Sequence, residues 1–142
     1  MKIFRILVLI LILLVLTGCG KDNTIAIEDY NWTFSHVQTE DGTVTFCKDD
    51  FSDTFSNAIP ATANLTPTET EGVYELSFLN KQTGETETGR YALTLLEADR
   101  YNAYYTVTLE KDTLELGQAL VNSRELQLPI LTSTFVFTSS AP

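Results

Sequence analysis

The stretch VYELSFLNKQTGETETGRYALTLLEADRYNAYYTVTL, residues 73–109, decides the fold. Apolar side chains alternate with polar ones in three runs, and short polar segments containing Asn, Gly or Asp separate the runs. A period of two is typical of strands that bury one face, and connections of hairpin length favour antiparallel pairing. The stretch therefore predicts three consecutive antiparallel strands. Their apolar positions are Tyr74, Leu76, Phe78, Tyr91, Leu93, Leu95, Tyr105, Val107 and Leu109.

The same alternation continues on both sides of this stretch, and it predicts seven to nine strands in total. An up-and-down meander of this size hides its strand edges by closing on itself or by pairing two sheets. We expect an all-β fold, a small antiparallel up-and-down β-barrel, with a β-sandwich as the alternative. The further runs lie at 32–37, 44–46, 63–65, 114–121, 126–130 and 135–137.

Three places interrupt the alternation. Residues 48–60 predict the longest irregular connection, with room for one helical turn. Gly117 predicts a bend or bulge, because the apolar face of its run changes there. Pro129 has no amide hydrogen to donate, so it predicts an edge or an interrupted strand.

The N-terminus has the layout of an export signal. Lys2 and Arg5 precede an apolar run at 6–16, which is shorter than the roughly 18 to 20 residues that a membrane-spanning helix needs. The segment that follows, Leu16-Thr17-Gly18-Cys19, resembles the lipobox of bacterial lipoproteins. In that family the Cys is acylated through its sulfur, for example with palmitate, and becomes the first residue of the mature chain.

This resemblance implies that residues 1–18 are a signal peptide that is removed, and that Cys19 is the site of lipidation. Two or three acyl chains hold a protein firmly on a bilayer. We therefore expect a membrane partner and an extracytoplasmic location. Residues 19–28 should form the lipidated N-terminus and a tether, and residues 29–142 should form a single barrel domain.

The composition limits the partners further. The chain of 142 residues has 19 acidic and 9 basic residues, for a net charge of −10, and the signal peptide contains two of the basic ones. Such a surface repels nucleic acid, so we expect no nucleic-acid partner. Once Cys19 is acylated, Cys47 is the only thiol left and no internal disulfide can form. We interpret Cys47 as a buried strand residue rather than a nucleophile.

Three short motifs suggest a family for the domain. They are Asn31-Trp32 at the first strand, Thr88-Gly89-Arg90-Tyr91 in the middle, and Leu116-Gly117-Gln118-Ala119-Leu120 late in the chain. Together they resemble the lipocalin-like small lipoproteins of Gram-positive bacteria. The resemblance implies a β-barrel with an apolar pocket and no catalytic residues. It also favours a Gram-positive cell surface over a Gram-negative outer membrane.

Aromatic side chains are the candidate binding residues, since on inward-facing positions they either wall a pocket or fill the core. These candidates are Trp32, Phe34, Phe78, Tyr91 and Tyr105.

The polar candidates predict no catalytic site, metal site or cofactor. Alternation places His36, the only histidine, on the same face as Trp32 and Phe34, and no nucleophile motif surrounds it. The acidic residues lack the spacing of a calcium loop, so we interpret those at 49–53 as a solvated loop and Glu85 and Glu87 as an exposed strand surface.

Two functions follow as hypotheses. The first is a non-catalytic, membrane-anchored binding module that holds a small apolar or amphipathic ligand inside the barrel. The alternative is an envelope protein–protein interaction module that uses an exposed sheet face near Tyr104 or a strand edge near Pro129. The first predicts an internal cavity, and the second predicts a contiguous exposed apolar patch.

Overall fold

The computed structural model describes residues 23–51 and 53–141. The predicted signal peptide and Cys19 lie outside the described residues. Within the described part, no helix has the length and apolarity needed to cross a membrane. The described ranges contain nine strands: β1 Asn31–Thr39, β2 Val44–Cys47, β3 Ile59–Pro67, β4 Val73–Asn80, β5 Glu85–Ala98, β6 Asn102–Leu109, β7 Glu115–Asn122, β8 Glu125–Ile130 and β9 Ser133–Ser140.

The strands form one sheet that closes into a barrel, with neighbours in sequence order and β9 paired to β1. The predicted all-β antiparallel barrel is confirmed. From β3 to β9 every connection is a short turn, and every neighbouring pair is antiparallel. Each of these turns reverses the chain, so the meander follows directly from the alternation and the turn residues.

One pair departs from the meander, because β2 and β3 run parallel. The predicted long connection lies between these two strands and contains one 3₁₀ turn, Asp49–Phe51. It is long enough to carry the chain back along the barrel before β3 begins. This parallel pair lets nine strands close with the first and last strands antiparallel, which a strictly alternating ring of odd number cannot do.

The ladders contain four register shifts, and two of them, the β-bulges in β1 and β7, bear on the faces predicted from the sequence. In β1, Phe34 pairs with Phe137 and His36 with Val136, so Ser35 is the extra residue. Simple alternation therefore fails here, because Phe34 and Val37 are both buried while His36 is only half-buried. The second bulge lies in β7, as the sequence predicted, because Val107 pairs with Gly117 and Thr108 with Glu115.

The N-terminal segment closes one end of the barrel, which we call the base. Ile25 and Ile27 are 7% and 2% exposed and belong to the core cluster. The backbone N–H of Ile27 donates to the Tyr105 hydroxyl at 3.2 Å, and Trp32 Nε1 donates to the Ile27 carbonyl at 2.9 Å. We expected the domain to begin at Asp29, but its packed core extends back to Ile25.

Because of the buried tyrosines at the base, we expect the folded protein to lose stability at alkaline pH. Burial raises the pKa of Tyr74, as do the nearby carboxylate of Glu28 and the hydrogen bond to it, and burial also raises the pKa of Tyr105. Above the pKa of an unfolded tyrosine, about 10, the unfolded chain binds fewer protons than the folded chain, so stability falls as pH rises. Urea unfolding followed by circular dichroism at about pH 8 and about pH 10.5 measures this loss. Tyr74→Phe should reduce the loss, whereas Tyr101→Phe, at an exposed position, should leave it unchanged. Equal losses in all three proteins would contradict the assignment to the base.

Candidate functional site

The end of the barrel opposite the base is open and contains a pocket of about 430 Å³. Its lining comes from the turn that connects β8 to β9 and from strands β1, β2, β4, β5, β8 and β9. Its volume falls within the range of small-molecule sites. Its lining consists of apolar Val37, Phe46, Leu76, Phe78, Tyr91, Ile130, Leu131 and Phe135, together with Asn80, Glu85, Glu87, Thr88, Gly89, Thr132 and Ser133.

Phe78 is the centre of an aromatic cluster beside the pocket. Its ring makes edge contacts with Phe46 and Phe135, with centroids 5.1 and 5.3 Å apart. Phe34 packs on it from the core side, with centroids 6.3 Å apart. Edge-to-face contacts of this kind hold rings in fixed orientations. The cluster therefore forms an aromatic wall between the core and the pocket.

Tyr91 forms another part of the wall and depends on a glycine. An alanine Cβ at Gly89 would lie 2.6 Å from the Tyr91 hydroxyl. Only glycine at 89 leaves space for the ring to lie back along its own strand. Burial raises the pKa of Tyr91, and the carboxylate of Glu87 raises it further. Tyr91 is therefore a neutral hydroxyl in the pocket at physiological pH.

Glu85 and Glu87 face the inside of the barrel near its mouth. Glu87 pairs with Phe78 across the ladder and Glu85 pairs with Asn80, and all four residues line the pocket. Both glutamates are exposed, as we predicted from the sequence, but they are exposed to the pocket opening rather than to an outer sheet face. They add two carboxylates to a lining that otherwise combines apolar side chains with the neutral polar side chains of Asn80, Thr88, Thr132 and Ser133.

The five aromatic candidates divide between the pocket and the core. Phe78 and Tyr91 line the pocket. Phe34 and Tyr105 are buried in the core at 4% and 6% exposure, and Trp32 packs against the core beside the base. The main additions are Phe46 and Phe135. Both lie on predicted strands close to turns at the open end, and that proximity is the signal that could have identified them.

A serine and a histidine form a close pair outside the pocket. Ser35 Oγ lies 2.9 Å from His36 Nδ1, a distance that a nucleophile and its base also have. However, Ser35 is only 7% exposed, and neither residue lines the pocket. Burial lowers the pKa of His36, and its ring contacts Phe55 from the long connection. A ligand in the pocket does not reach this pair.

The acidic residues of the long connection take part in ion pairs. Asp49 pairs with Lys81, and Asp50 pairs with Lys48. In the described ranges, no group of three or more His, Cys, Asp or Glu side chains has the arrangement of a metal site. The Asp49–Lys81 pair joins the connection to the β4–β5 turn, whereas the Lys48–Asp50 pair lies within the connection.

Cys47 should be unreactive in the folded protein. Its side chain is fully buried, and burial raises the pKa of the thiol, as do the carboxylates of Asp49 and Asp50. Because the thiolate is the reactive form, we expect modification by an aromatic disulfide reagent to require opening of the barrel. In a Cys19→Ser chain, the rate at neutral pH should be at least about a hundredfold lower without urea than in denaturing urea. Equal rates would contradict the burial of Cys47.

Comparison of the chain with family models, with curated protein sequences and with solved structures gave no match to any of them.

Proposed function

We propose that this protein is a non-catalytic binding protein that holds a small apolar or amphipathic ligand in the open end of its barrel. In the same proposal, it is a lipoprotein attached outside the cytoplasm by the lipid on Cys19. The observation that carries the ligand-binding role is the pocket itself, an opening of about 430 Å³ walled by Phe46, Phe78 and Phe135. This combination of volume and lining suits the apolar part of a small ligand.

The contrast between the two ends of the barrel supports this role. At the base, Ile25 and Ile27 fill the space between the strands. At the open end no segment of the described chain occupies the corresponding space, and aromatic surface faces the opening. Exposed apolar surface costs free energy, roughly 25 cal/mol for each Å² left in water. A ligand that covers these rings recovers that free energy.

Photolabelling tests the ligand-binding role. The full chain, inserted in phosphatidylcholine nanodiscs, is irradiated with a neutral alkyl alcohol that carries a diazirine, and the labelled peptides are identified by mass spectrometry. We expect saturable labelling on the strands that carry Phe46, Phe78 and Phe135. Ser133→Trp places an indole at the mouth and should reduce this labelling about tenfold or more, which corresponds to about 1.4 kcal/mol.

Thr138→Trp is the matched control, because Thr138 is exposed on the same strand, near the base, and does not line the pocket. It should keep the labelling of the parent chain. Labelling that spreads over the outer surface without saturating would contradict the ligand-binding role.

Metabolic labelling tests the lipid anchor separately. Cells that express the chain are grown with a palmitate analogue that can be tagged afterwards. The parent chain and Cys47→Ser should both become labelled and stay with the membrane fraction, whereas Cys19→Ser should not become labelled. Equal labelling of the two cysteine variants would contradict acylation at Cys19.

The alternative role as a protein interaction module draws support from a different surface. Leu95 and Leu96, at the bulge in β5, are 55% and 53% exposed. The features named from the sequence are less accessible, because Tyr104 is half-buried and Pro129 pairs with Thr134 within the closed ring. If a partner binds this surface, Leu95→Ser/Leu96→Ser should abolish its capture and leave pocket photolabelling intact.

A further inference from the structure

The charged residues that line the pocket are all acidic. The lining contains two carboxylates, Glu85 and Glu87, and no lysine, arginine or histidine. Among the described residues, neither carboxylate takes part in a side-chain hydrogen bond or in any of the salt bridges, which join Lys48 to Asp50, Lys81 to Asp49 and Arg90 to Glu110. The rim of the pocket therefore carries negative charge without an internal counter-charge.

The basic residues nearest to Glu85 and Glu87 in the sequence form ion pairs with residues that do not line the pocket. Lys81, in the turn before β5, pairs with Asp49 of the long connection. Arg90 follows Gly89 on β5 but pairs with Glu110 at 3.2 Å. Arg90 also alternates with Gly89 and Tyr91, which line the pocket, so it lies on the opposite face of the strand. Neither cation offsets the glutamates within the pocket.

We propose that the preferred ligand of the pocket is an amphiphile with a cationic head, such as a protonated or quaternary amine, and an apolar tail. This proposal rests on the proposed ligand-binding role and adds the charge of the ligand to it. The tail occupies the aromatic part beside Phe46, Phe78 and Phe135, and the head lies at the rim beside Glu85 and Glu87.

Two interactions favour such a head over a neutral or anionic one. The carboxylates attract a cation and repel an anion, and the attraction is strengthened because the apolar wall excludes part of the surrounding water. Tyr91 adds an aromatic ring to the pocket lining, with its hydroxyl end beside Gly89, and cations bind favourably over aromatic faces. Because Glu87 lies opposite Phe78 and Glu85 opposite Asn80, Glu87 is the carboxylate closer to the apolar wall.

Competition against the photolabel tests the charge preference. The competitors are octyltrimethylammonium, octan-1-ol and octanoate, which share one chain length and differ in charge. In the full chain in nanodiscs, we expect octyltrimethylammonium to compete at an about tenfold lower concentration than octan-1-ol, and octanoate to compete worst. In Glu85→Gln/Glu87→Gln, the cation and the alcohol should compete at concentrations within about twofold of each other.

The control variant is Glu69→Gln/Glu71→Gln. These glutamates have the same spacing and are exposed, but they lie in the turn between β3 and β4, at the base. The control removes the same net charge from the protein and should keep the preference for the cation.

The possible outcomes separate this proposal from the one on which it rests. Saturable labelling that all three competitors displace equally would leave the pocket as a binding site and overturn the cationic ligand. A preference for the cation that survives Glu85→Gln/Glu87→Gln, or that disappears in the control, would also overturn it, because the rim carboxylates would then not be its source. Failure of the label to saturate in the pocket would overturn the binding role itself.

Discussion

Phe137→Ala lowers the free energy of unfolding by about 3–5 kcal/mol, the range expected when a fully buried phenylalanine is truncated. Phe137 is 0% exposed and lies on β9, opposite Phe34 on β1 and Leu126 on β8. Its ring makes an edge contact with Phe34, with centroids 6.1 Å apart. Truncation removes apolar contacts at the place where the last strand closes the ring, and the strands on both sides limit how far the cavity can collapse. Urea unfolding followed by circular dichroism measures the loss.

Tyr101→Ala is the control for this prediction. Tyr101 is 62% exposed, and its ring contacts Arg100 at 4.8 Å. We expect its replacement to cost less than about 1 kcal/mol, the size of an exposed cation–π contact. If the two variants lost equal stability, Phe137 could not be part of a packed core between β9 and β1.

Ile27→Ala should lower the free energy of unfolding by about 2–5 kcal/mol, although the residue lies outside all nine strands. Its side chain is 2% exposed, and its backbone groups bond to Tyr105 and Trp32. Loss of the side chain leaves a cavity at the base and weakens the support for both hydrogen bonds. Trp32 is the only tryptophan, so its fluorescence reports directly on this region during urea unfolding.

Leu114→Ala is the matched aliphatic control, because Leu114 is 62% exposed in the turn between β6 and β7. It should change stability by less than about 0.5 kcal/mol. An equally small effect of Ile27→Ala would mean that the folded domain begins at about Asp29, as we expected from the sequence.

The barrel could be predicted from the sequence because the features that determine it, alternation within each strand and short turns between strands, involve residues close together in the chain. Alternation in residues 73–109 identifies the strands and their inward faces, and short turns then determine their neighbours. The β1 bulge could not be predicted in the same way. Ser35 becomes the extra residue only when β1 pairs with β9, about a hundred residues later. One extra residue changes the face of everything after it, which is why Val37 rather than His36 faces inward.

The pocket was harder to predict than the barrel. Phe34 and Phe78 have the same sequence signal and both belong to the core cluster, yet only Phe78 also lines the opening, because depth along the barrel depends on the register of all strands. Glu85 and Glu87 alternate with threonines, so their segment has no apolar face from which its orientation could be inferred. Their inward position follows only from pairing with Phe78 and Asn80 on β4.

The burial of Ile25 at the base has a consequence for how a ligand could arrive. In the proposed lipoprotein, the chain from Cys19 to Ile25 spans at most about 20 Å even when fully extended. The base would then stand close to the bilayer, and the mouth would point toward the surrounding medium. A ligand would then enter from the aqueous side rather than directly from the anchoring membrane.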